Sequence, residues 1–163
     1  MLRSAVVALL IGALPPVTSG VPSRAALARE EAVFAAVVRQ QIKEHLDPSE
    51  RARGTVLCVA IDPGDAPQSP SRELLARLAN EPAVRRAAEC DPRPKGAVEA
   101  MTLRPAIIVT AGPMEWIAAD EVWVSVRYFR SARASALRKY RVVLDHDGWV
   151  SLGPILLDGP AQL

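Results

Sequence analysis

The chain has 163 residues, half of them apolar, and 20 lysines and arginines against 18 aspartates and glutamates. That length suits one domain able to bury an adequate core without metals or many cross-links. The near-neutral balance gives the whole molecule no pull toward nucleic acid or a membrane surface.

Arg3, the apolar run of residues 5–14 and the small residues Val17, Thr18, Ser19 and Gly20 have the order of a secretory signal peptide over residues 1–20. The run falls short of the roughly 20 apolar residues that a membrane span needs, and no later stretch approaches that length. The expectation is a secreted or periplasmic protein with no membrane span, folded as one domain over residues 21–160. The arginine excess, 17 against 3 lysines, reads as the composition of a GC-rich bacterial genome. Cys58 and Cys90 are the two cysteines. In an exported chain they are expected to form one disulfide, and no Cys-x-x-Cys spacing points to a redox pair.

Ser23 can cap a helix over residues 24–46, in which Phe34, Val38, Ile42 and Leu46 recur every fourth residue with Val33 and Val37 beside them. Arg39, Gln40, Lys43 and Glu44 fall on the opposite side, so the helix lies on the domain surface and covers something apolar. Asp47-Pro48 ends it. Residues 55–61 (TVLCVAI) are apolar on both faces and short, the pattern of an interior strand. Ser69 with Pro70 in first helical position opens a short helix whose Leu74, Leu75 and Leu78 face the core. Residues 84–90 read as a short strand that carries Cys90 toward the strand of Cys58.

The last third alternates in hydropathy. Residues 106–110, 114–117, 122–130, 139–144 and 149–152 read as strands, with a loop at 131–137 and a hairpin turn at Asp145-His146-Asp147-Gly148. Val122, Val124, Val126 and Tyr128 take the inner face; Trp123, Ser125, Arg127 and Phe129 take the outer. The fold expected is α+β, an antiparallel β-meander of four to six strands packed against one long N-terminal helix and one short helix.

One long helix, a short helix and strands closing on "Tyr-Arg-Val-Val, turn, Asp-Gly-Trp-Val" are similar to small exported bacterial proteins of an uncharacterised family. In outline the order also resembles the cystatin-like and nuclear-transport-factor-like folds, whose curved sheet wraps a helix. In the enzymes of the latter group, the sheet and helix enclose a pocket with an Asp-His pair or similar acid-base groups. No such pair falls on inward positions of this sequence.

The most anomalous stretch carries six positive charges with no acid between them: Arg127, Arg130, Arg133, Arg138, Lys139 and Arg141, interleaved with Tyr128, Phe129 and Tyr140. Arginine forks match oxyanions and aromatic faces offer stacking, so the block is the candidate surface for an anionic small molecule or polysaccharide. The competing reading is a solvated hairpin whose cations pair with Glu115, Asp120 and Glu121 on neighbouring strands. The sequence offers no metal site, cofactor motif or nucleophile elbow. His45 suits a helix end, His146 lies in a turn, and the Asp62-x-Gly64-Asp65 run lacks the further ligands of a calcium loop. Trp123, on the outer face, is either covered by another element or exposed as a platform. The function expected is a non-catalytic binding or interaction module. The alternative is a small hydrolase or isomerase with a pocket between the sheet and the first helix.

Overall fold

A computed structural model describes residues 23–64 and 66–155. The expected export signal lies outside them, as does most of the segment expected at 155–157. The element order is α1 (Arg24–His45), α2 (Pro48–Ala52), β1 (Val56–Ile61), α3 (Arg72–Arg77), β2 (Val84–Arg86), a 3-10 turn (Ala87–Glu89), β3 (Cys90–Asp91), β4 (Val98–Glu99), β5 (Ala106–Ala118), β6 (Glu121–Ser131), β7 (Ala134–Asp145) and β8 (Gly148–Pro154).

The α+β class holds, but the main sheet is mixed. Its six strands run β2-β1-β5-β6-β7-β8, and β1 pairs in parallel with both neighbours, Leu57 opposite Val84 on one side and Ile107 on the other. Only β5 to β8 form the antiparallel meander. The cause is visible in β1, where five of six residues are buried. A strand covered on both faces belongs in the middle of a sheet beside parallel neighbours, which need long crossovers of the kind α3 begins.

The core lies where α1 crosses the inner face. Val33, Phe34, Val37, Val38, Ile42 and Leu46 are buried there against Leu57, Val59, Val109, Val122, Val124 and Val126. Each such side chain removed from water stabilises the fold by about 1.5–3 kcal/mol. Ser23 caps α1, its hydroxyl accepting from the Ala26 amide at 3.1 Å. A second, smaller core of Val56, Cys58, Cys90, Ala97 and Ala106 lies on the other face, with Ile108 and Phe129 packed against it. There a two-stranded β3–β4 sheet covers one end of the main sheet, tied to β1 by the Cys58–Cys90 disulfide.

Several local expectations change. Asp47-Pro48 ends α1 and also starts α2, because the Asp47 carboxylate accepts the Glu50 amide at 2.9 Å and Pro48 needs no partner at a helix start. The described residues therefore form three α-helices. The cap of α3 is Ser71, which accepts from the Leu74 amide at 2.9 Å. Residues around Ser69 and Pro70 stay extended because Gln68 exchanges backbone hydrogen bonds with Ile61 at 2.7 and 2.9 Å. Residues 106–118 form one strand, since Gly112-Pro113 sits where the register shifts between Ala111 and Met114 and proline interrupts no ladder bond there. The expected loop at 131–137 is mostly paired, with Ser135, Ala136 and Leu137 opposite Phe129, Tyr128 and Arg127. The expected strand 84–90 divides into β2, the 3-10 turn and β3. No helix among the described residues is long and apolar enough to cross a membrane.

Candidate anion-binding surface

Strand geometry decides where the six cations of residues 127–141 go. Successive side chains leave a strand on opposite faces, so a basic block that is continuous in sequence divides in space. Arg127, Lys139 and Arg141 lie on the outer face, level with Leu137, Ser125 and Trp123 across the β6–β7 ladder. Lys139 Nζ reaches Glu115 at 2.8 Å, and the Arg141 guanidinium grips both Glu121 oxygens at 3.0 and 2.8 Å. These are two of the three acids that the solvated-hairpin reading names. Arg138 faces inward beside α1, 3.9 Å from Glu44 and 5.8 Å from the Tyr128 ring centroid. Trp123 is half-buried on the outer face, its Nε1 donating to Glu121 at 3.1 Å and Lys139 Nζ standing 5.3 Å from its ring centroid.

Arg130 and Arg133 have a different setting, at the turn joining β6 to β7. The loop between β3 and β4 is bonded onto this turn: the Ala97 amide donates to the Arg130 carbonyl at 2.8 Å and the Ala132 amide to the Pro94 carbonyl at 3.3 Å. Arg93 and Lys95, both exposed, thereby join Arg130 and Arg133 at one end of the molecule. Sequence reasoning missed these two residues, since nothing in the run Asp-Pro-Arg-Pro-Lys-Gly announces its distant partner. The signal available was the disulfide, which brings Cys90 and the loop after it to the β1–β5 end of the sheet.

Glu50 anchors the same end from below. It is buried, accepts from Thr55 Oγ1 at 2.7 Å and from Arg53 at 3.1 Å, and pairs with Arg130. The Thr55 hydroxyl first and Arg130 second hold its carboxyl below the usual range, so Glu50 is a fixed negative charge that orients Arg130. Arg93 keeps a loose pair with Asp91 at 3.4 Å. Among the described residues, Lys95, Arg127 and Arg133 have no ion-pair partner.

The opposite end of the sheet is different in character. A cleft between α1 and the sheet lies at the C-terminal end of β1, with Glu30, Glu31 and Asp62 on its rim. In the β7–β8 turn, the exposed His146 ring stands 2.7 Å from Asp145 and 2.9 Å from Asp147. The molecule thus has a basic pole at the start of β1 and β5 and an acidic one at their ends. Compared with protein-family models, curated proteins and solved structures, the chain matches none.

Proposed function

We propose that this protein is a non-catalytic interaction module, acting outside the cytoplasm, that holds an anionic partner such as an acidic polysaccharide at its basic end. The observation that carries this reading is the hydrogen-bonded junction of two distant segments, residues 93–97 and 130–133, which collects Arg93, Lys95, Arg130 and Arg133 in one place. Two of these cations, Lys95 and Arg133, are free of ion pairs among the described residues and are available to oxyanions without first breaking a bond. Guanidinium forks offer a sulfate or carboxylate two parallel hydrogen bonds, and several such sites spaced across a surface suit a polymer of repeated charge. The disulfide and the leader-like residues 1–20 support an extracytoplasmic setting.

Retention on immobilised heparin at low salt tests the reading. Salt shortens the range of these attractions to about 10 Å at 0.1 M. The protein is expected to bind in dilute buffer and to elute as salt rises. Passage of the parent protein straight through the column at low salt contradicts the proposal.

A further inference from the structure

The cleft at the acidic pole has two adjoining lobes. One, of about 220 Å³, lies under α3 and is walled by Leu27, Ile61 and Leu74. The other, of about 260 Å³, lies between α1 and β5 and is walled by Met114 and Trp116. Glu30, Phe34 and Pro63 line both. Lobes of this size, joined, fall in the range of small-molecule sites, about 300–1,000 Å³, and such sites combine apolar walls with a few placed polar groups.

The charged groups of this lining are carboxylates, beside the neutral Gln68, Ser69 and Ser71, and each carboxylate is held differently. Glu31 accepts from Ser71 Oγ at 2.6 Å, which ties α1 to the start of α3. The Asp62 carboxylate accepts the Gly64 amide at 2.9 Å, while its backbone amide donates to the Ala111 carbonyl at 2.8 Å and fixes the loop against β5. Glu30 has neither an ion-pair nor a hydrogen-bond partner among the described residues, and it stands at the junction of the lobes. Trp116, in the far wall, already carries a cation on its ring: the Arg29 guanidinium lies 3.8 Å from the ring centroid and is fixed by its bond to the Ala119 carbonyl. Three carboxylates outweigh that one guanidinium. Apolar and aromatic walls around an unpaired carboxylate select a positive group attached to an apolar body.

We infer that this cleft binds a small organic cation, an amine carrying an aromatic or branched apolar group, with Glu30 as the counter-charge and Phe34, Met114 and Trp116 around the apolar part. This site is separate from the basic end, so neither proposal depends on the other.

Phenethylammonium is the probe, with 2-phenylethanol as its uncharged counterpart. The readout is the indole N–H cross-peak of Trp116 in a ¹H–¹⁵N correlation spectrum, assigned by its loss in Trp116→Phe. Titration with phenethylammonium is expected to shift this peak saturably in the millimolar range or below, with at least fivefold weaker binding in Glu30→Gln. Glu30→Ala serves as a second variant, and unchanged dispersion of the remaining amide peaks shows that each variant is folded. Lys95→Glu with Arg133→Glu is expected to leave the titration unaltered. The inference is overturned by equal binding of 2-phenylethanol, by Glu30 variants that bind as the parent does, or by a Trp116 peak that never moves saturably.

Discussion

The Tyr140 hydroxyl donates to the Glu44 carboxylate at 2.6 Å, joining the middle of β7 to the last turn of α1. Tyr140 is fully buried while Glu44 keeps access to solvent. Burial first, and this bond second, raise the Tyr140 pKa above its ordinary 10.0. A group whose folded pKa is raised contributes stability that is complete below the unfolded value and is lost as pH rises toward and through the folded one. Tyr140→Phe is expected to cost about 1–2 kcal/mol at neutral pH, since one hydrogen bond to a charged group is lost. Urea melts from pH 7 to pH 11 check both points: the parent loses stability above about pH 10, and the phenylalanine variant loses less.

Glu99 sits at the centre of the small β3–β4 layer. It is buried, and its oxygens take hydrogen bonds from Thr102, from Arg104 at 2.9 Å and from Arg85 at 2.9 Å. The Thr102 hydroxyl and then Arg104 lower its pKa from 4.5 to about 2. A depressed folded pKa gives stability that is present above the unfolded value and is lost as pH falls through the folded one. Acid titration of stability is therefore expected to show a decline between about pH 4.5 and pH 2 that is reduced in Glu99→Gln. That variant is expected to cost about 2–3 kcal/mol at pH 7, where it leaves two guanidinium groups without their carboxylate. A variant with an unaltered acid limb removes Glu99 from the account.

Two glycines with nearly the same φ separate strain from collision. Gly112 has φ +119° and Gly148 has φ +122°, both in the region that favours glycine. A methyl group at Gly112 would meet the Asp62 carbonyl oxygen at 2.0 Å, whereas one at Gly148 meets nothing within 4 Å. Gly148→Ala is expected to cost about 1–2 kcal/mol, the backbone strain alone. Gly112→Ala is expected to cost at least about 3 kcal/mol, because the loop carrying Asp62 must also move. Equal losses in thermal or denaturant melts contradict the close approach of β5 to that loop.

The Cys58–Cys90 disulfide spans 32 residues of sequence. In the chain-entropy model, closing a loop of that length stabilises the native state by about 3–4 kcal/mol. Reduction, or replacement of both cysteines by alanine, is expected to lower stability by that amount. It is also expected to increase amide exchange first around β3 and β4, whose second core the bond pins to β1. Uniform exchange throughout the chain would contradict a separate layer.

The sequence made the inner core legible because helical and strand periods agree there: Phe34, Val38, Ile42 and Leu46 face Val122, Val124 and Val126, and all seven are buried. It also marked β1 as an interior strand. Its parallel partners were not legible, because which strands flank it depends on crossovers that leave no local pattern. The reach of β7 was hidden because Ala134, Ser135 and Ala136 lack strand chemistry and pair only through the ladder that β6 provides. The basic block was legible as composition and illegible as geometry. Alternation sent Lys139 and Arg141 to acidic partners, while Arg93 and Lys95, far away in sequence, arrived beside Arg133 through a disulfide-tied loop. The cleft was equally hidden, since Glu30, Asp62 and Trp116 come from three elements.

The most direct test of the account is calorimetric binding of a heparin oligosaccharide at several salt concentrations to the parent and to two paired reversals, Lys95→Glu with Arg133→Glu and Lys139→Glu with Arg141→Glu. The first pair belongs to the basic end; the second is already held by Glu115 and Glu121 on the outer face. The first reversal is expected to abolish binding at low salt, and the second to weaken it only a few-fold, with a similar dependence on salt. A first pair that binds as the parent does, or a second pair that loses as much as the first, would contradict it.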